Sequence, residues 1–198
     1  MDPRQMEAQC VRTFAQRYGL GMSAEGGLPL HGMLNGVPFA MSKVVRGTRN
    51  PTRITQFLAV VPVEIPGGLV AYKPNFHWRL PGSRTVSDDV GVGGLLGFVH
   101  HDSVGDPELD SKLVIYADDV LFARAVLTTP DVKRSILHAL GAAGHLRLLE
   151  SKVALDVSER RSGLIRLLTT VDEVEQLAHA ATGVAVALWA AVAACRRS

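Results

Sequence analysis

The stretch Lys112-Leu-Val-Ile-Tyr-Ala-Asp-Asp-Val-Leu-Phe-Ala-Arg-Ala-Val-Leu127 decides the fold, because a strand and a helix start sit side by side in it. Lys112–Ala117 is a short run of branched and aromatic residues and reads as a strand. Val120, Phe122-Ala123 and Val126-Leu127 then recur at helical spacing, and Ala123-Arg124-Ala125 is a strong helix former. Asp118 or Asp119 stands where the period changes. A carboxylate there caps the first turn, worth about 1 kcal/mol, and faces the positive end of the helix dipole. The stretch therefore predicts strand, cap and a helix over about 120–127.

The same residues have a chemical reading. Tyr116-Ala117-Asp118-Asp119 matches the Tyr-x-Asp-Asp signature of reverse transcriptases, where paired carboxylates hold Mg²⁺. Those carboxylates sit on a tight turn between two strands, and a further Asp from another strand completes the metal site. Helical spacing after Asp119 is the wrong flank for that turn, so both aspartates are expected to be structural.

C-terminal to this stretch, Pro130 at the first helical position opens a second helix carrying Val132, Ile136, Leu137 and Leu140 on one face, with Gly141 and Gly144 at its end. Leu146–Leu149 and Val153–Val157 alternate about Glu150-Ser151-Lys152 and read as a hairpin, and residues 163–168 as one more strand. Thr170 with Glu173 makes a capping box for a final helix to about Ala194. N-terminal to it, Asp2-Pro3 caps a helix over about 3–18, with Met6, Cys10 or Val11, Phe14 and Tyr18 as its stripe and Gly19 at its stop. Asn35-Gly36 between apolar runs signals a hairpin, because both residues tolerate positive φ. Residues 54–63 and 69–72 read as strands. Residues 74–110 hold Pro74, Pro81, Pro107 and a scatter of glycines without a period, and are expected to be irregular.

The 198 residues are 47% hydrophobic and 20% charged, ample for a folded core. A net charge of +2, from 21 basic and 19 acidic residues, gives no electrostatic footprint for nucleic acid. Cys10 and Cys195 form neither a disulfide framework nor a metal set, and the first residues carry no secretion signal, so a cytoplasmic setting is expected. The fold expected is α+β, with mainly antiparallel strands and helices packed on one face. It forms a single domain over 1–198, with a lobe boundary in the loop 82–110 and a plan that permits a pseudo-repeat of two halves.

Three further segments bear on function. His100-His101-Asp102 could supply a general base and an orienting carboxylate, although adjacent strand histidines point to opposite faces and do not share a metal easily. Gly91-Val-Gly-Gly-Leu-Leu-Gly97 departs from a phosphate-binding Gly-x-Gly-x-x-Gly at its sixth position, Leu96. Leu177–Cys195 is long enough to span a membrane, yet it is mostly Ala, and its stripe of Val174, Leu177, Ala181, Val184, Leu188 and Val192 suits close packing on a sheet.

Gly105-Asp106, Leu109-Asp110, Leu113–Tyr116, Asp119, Ala123, Leu127-Thr128 and Leu164–Leu168 together resemble a group of uncharacterised bacterial proteins, as do His31-Gly32 and Asn35-Gly36-Val37. The resemblance implies a strand, an Asp-led helix, a hairpin and a final helix, and brings no catalytic residues. The expected function is a cytoplasmic, non-enzymatic protein-binding or adaptor module without cofactor or metal, its partner a protein and not nucleic acid or membrane. The alternatives are a small hydrolase-like enzyme using His100, His101 and Asp102, or a module tethered to membrane by its C-terminal helix.

Overall fold

The computed structural model describes residues 2–23, 28–46, 52–65, 69–73, 100–101, 103–143, 145–158, 160–161, 164–165 and 167–197. Helix α1 spans Pro3–Tyr18, with the Asp2 carboxylate accepting from the Arg4 N–H and Gly19 closing it in the left-handed region. Its buried side is Glu7, Val11, Phe14 and Ala15, so Met6, expected on the stripe, lies outside. Strands β1 (Gly21–Met22), β2 (Leu30–Leu34), β3 (Val37–Arg46), β4 (Thr52–Val60) and β5 (Val70–Tyr72) follow. Asn35 and Gly36, at φ 53° and 78°, make the two-residue turn between β2 and β3. Pro38 is tolerated because β4 pairs with β3 only from Phe39 onward, leaving no ladder bond for the missing N–H to break.

The second half gives β6 (His100–His101), α2 (Pro107–Lys112), β7 (Val114–Tyr116), α3 (Val120–Leu127), α4 (Pro130–Ala143), β8 (Leu146–Leu149) and β9 (Lys152–Ser158). Strands β10 (Arg160–Arg161) and β11 (Leu164–Ile165) pair separately, and α5 spans Val171–Cys195. The strand-cap-helix reading holds from Val114 to Leu127, but Lys112, expected to open the strand, ends α2. Helix α2 falls where an irregular connection was expected, because six residues are too few to show a period. Helix α4 runs through Gly141, and the expected strand at 163–168 shortens to Leu164–Ile165. Residues 82–99, with the glycine run 91–97, and Asp102 lie outside the described residues.

Nine strands form one antiparallel sheet in the order β1-β2-β3-β4-β9-β8-β5-β7-β6, so the fold is α+β. Strands β9 and β8 enter between β4 and β5, and the two halves of the chain share one ladder. Because side chains alternate, each row of the register belongs to one face. Phe39, Ala59, Val153, Leu148, Ala71 and Ile115 make one such row, and Met41, Phe57, Leu155 and Leu146 the next. All ten are buried.

Helices α5 and α4 lie on this face, with α1 and α3 against α5. The alanines of α5 explain the close approach: Ala178, Ala181 and Ala185 are buried between Val174, Leu177, Val184, Leu188 and Val192. By length and composition α5 could cross a membrane, yet 56% of its most apolar window is buried within the chain. Thr170 caps it through the Glu173 N–H, as its sequence predicts.

Candidate functional site

Asp119 Oδ1 accepts from the Phe122 N–H at 2.9 Å and begins α3 directly, so its carboxylate serves a helix and not a turn between strands. His100 and His101 stand opposite Tyr116 and Ile115 in the β6–β7 ladder. Among the described residues, no group of three His, Cys, Asp or Glu side chains is placed to hold a metal ion. Cys10 donates to the Thr169 carbonyl, and burial pushes its thiol above the ordinary value, which disfavours the reactive thiolate.

Two polar constellations stand out, and they differ in kind. The first is a clasp around α2. Asp110 accepts from Ser103 Oγ at 2.6 Å and from the Val104 N–H at 2.8 Å. Arg124 Nε on α3 donates to the Val104 carbonyl at 2.9 Å. Gly105, at φ +78°, passes so close to that guanidinium that a Cβ would lie 3.2 Å from it. Asp106 caps α2 through the Glu108 and Leu109 N–H groups and receives Lys133 Nζ of α4 at 2.7 Å. That Lys133 bond, with the Leu109 N–H behind it, holds the Asp106 carboxyl below the usual carboxylate value. Glu108 is lowered by Lys133 and then Lys112, and the Lys133 ammonium is raised chiefly by Asp106. Every member is satisfied within the clasp, which explains Gly105-Asp106 and Leu109-Asp110 as architecture.

The second lies on the sheet face away from the helices. One row runs Ala40, Leu58, Ala154, Arg147, Tyr72 and Val114, and beside it run Ser42, Gln56 and Asp156. Arg147 reaches diagonally to Asp156 at 2.9 Å, and Gln56 Nε2 donates to Asp156 Oδ1 at 3.0 Å. The Arg147 and Asp156 side chains keep only 14% and 8% of their exposure, so this pair is nearly desolvated. Tyr72 and Tyr116 stack at 6.2 Å with rings 13° apart. Val44, Ile54, Leu58, Val60 and Leu149 around them are half-buried, and Met33 is 60% exposed. None of the helices named above packs on this face.

This cluster was missed in the sequence, although a signal existed. Apart from Lys152 at the turn, Asp156 and Arg147 are the only charges in the two mainly apolar strands of one hairpin. A turn over Glu150–Lys152 puts them in the wrong register. The actual turn is Glu150-Ser151, with Glu150 at φ 53° and Leu149 opposite Lys152, which brings Arg147 and Asp156 diagonal on one face.

Comparison of the chain with protein-family models, with curated proteins and with solved structures finds no match.

Proposed function

We propose that this chain is a protein-binding or adaptor module that holds its partner against the sheet face opposite α4 and α5. The observation that carries the reading is the character of that face: an apolar field of Met33, Ala40, Val44, Ile54, Leu58 and Val60 beside a tyrosine pair and a nearly desolvated arginine. Protein interfaces favour this mixture, with aromatic, Met and Arg anchors and few charges at the centre. The Arg147–Asp156 pair fixes strand register and keeps the centre neutral, so a partner meets no uncompensated charge. On this reading the histidines of β6 belong to the edge of the sheet and carry no reaction.

A photo-crosslinking residue placed at Leu58 or Met33 in the native cell tests this, with the exposed helix position Arg134 as control. The sheet-face positions are expected to give one discrete protein adduct that Arg134 does not. Equal adducts from all three positions, or none from the sheet face, would overturn the proposal.

A further inference from the structure

Away from that face, four side chains join three elements at one corner of the helix layer. They are Tyr18 at the end of α1, Asn35 in the β2–β3 turn, and His179 and Thr182 on α5. Asn35 Nδ2 lies 2.8 Å from Thr182 Oγ1 and 3.0 Å from His179 Nδ1, and His179 Nε2 lies 3.0 Å from the Tyr18 hydroxyl. The Tyr18 and His179 rings meet edge to face at 5.4 Å.

The proton positions follow from donor and acceptor counting. Thr182 is fully buried, and its hydroxyl donates back to the Ala178 carbonyl at 2.9 Å. Its oxygen is left as an acceptor, so the Asn35 amide must turn its NH₂ towards it. The second N–H of that NH₂ then points at His179 Nδ1, which accepts. A neutral imidazole with Nδ1 bare carries its proton on Nε2 and donates it to Tyr18. The chain of bonds is complete only in this one tautomer.

From this we infer that His179 is a proton-sensitive joint, locking α1 and the β2–β3 turn to α5 when neutral and releasing the turn when protonated. A proton on Nδ1 sets two donors face to face. Turning the Asn35 amide over offers its oxygen to the imidazolium but sets that oxygen against Thr182, whose hydroxyl proton is already committed inside the core. Neither orientation satisfies both neighbours, so the Asn35 contact opens. The charged groups brought to this corner are Arg17 of α1 and Glu175, one turn before His179 on α5, and they are engaged with each other at 2.5 Å. Tyr18 is the remaining titratable neighbour, and the turn itself brings no charge.

The test uses the whole protein with labelled histidine. Nitrogen NMR at about pH 7.5 is expected to find His179 protonated on Nε2 alone, and lowering the pH to about 5.5 should lower the amide protection, taken relative to intrinsic exchange at each pH, at Leu34 and Val37, which close the turn. In His179→Gln this acid-induced loss of protection should disappear. An Nδ1-protonated tautomer at neutral pH would overturn the inference. So would a turn that opens equally in wild type and His179→Gln, or one that stays closed in wild type when His179 is charged.

Discussion

The two faces of the central sheet are built from the same strands and do opposite work. On the covered face, Phe57, Leu155, Leu146 and Met41 are fully buried beneath α5 and α4, and polar groups stand only beside them, in Thr55 and the Lys43–Glu7 ion pair. On the other face, the next residue along each strand gives Leu58, Gln56, Asp156 and Arg147, half-buried or held in a hydrogen-bonded set. Period-two alternation assigns the strands to both tasks at once. The difference teaches that a single residue step separates an apolar core face from one of mixed polar and apolar character.

The largest effect is expected on the covered face. Phe57→Ala leaves a cavity in the middle of the sheet–helix contact and should cost about 3–5 kcal/mol in denaturant unfolding. A loss under about 1 kcal/mol would mean that the helices do not pack as described. Next comes the ion pair. Asp156→Ala takes the carboxylate from a nearly desolvated guanidinium and should cost about 3 kcal/mol. Replacing both partners, Arg147→Met with Asp156→Leu, should recover most of that loss, because neither charge is then left buried. If the double variant is no better than the single, the pair is not isolated from water as its exposure implies.

The clasp around α2 sharpens the comparison, because it is a polar device on the surface. The Asp106 and Glu108 carboxyls are held below their ordinary values. Their contribution is present in full above the unfolded carboxylate value and fades as pH falls through the depressed folded one. Lys133, raised by Asp106, acts at the other end: its contribution lasts below the ordinary ammonium value and fades as pH rises through the raised one. Amide protection over residues 103–112, taken relative to intrinsic exchange at each pH, should therefore fall below about pH 4 while the sheet stays protected, and Lys133→Met should produce the same opening at neutral pH. Exchange that rises uniformly across the chain would contradict a local clasp.

The smallest effect belongs to Asp119. Changing it to Ala should cost about 1 kcal/mol, and changing it to Asn only a few tenths, roughly, since Asn also caps. Stoichiometric Mg²⁺ binding that Asp119→Asn abolished would instead restore a metal reading of these carboxylates.

What the sequence revealed follows from how local the physics is. Caps at Asp2, Asp119 and Thr170, the Asn35-Gly36 turn and the helix at 120–127 are decided within a few residues, and all of them stand. Helix α2 had its Asp106-Pro107 start signal but no length over which periodicity could show. The pairing of β4 with β9 joins residues about a hundred positions apart, and strand patterns do not say which strands become neighbours. The Arg147–Asp156 cluster was hidden by one residue of turn length, and the Tyr18–His179 contact by separation along the chain.

One substitution tests the division between faces most directly. Leu58 sits one residue from Phe57, in the same strand and on the opposite face. Leu58→Lys should unfold within about 1 kcal/mol of wild type, as an ordinary surface change does, while the adduct captured from Met33 is lost. If Leu58→Lys instead destabilises the protein as severely as Phe57→Ala, or folds normally and keeps the Met33 adduct undiminished, the sheet face opposite α4 and α5 is not a binding surface.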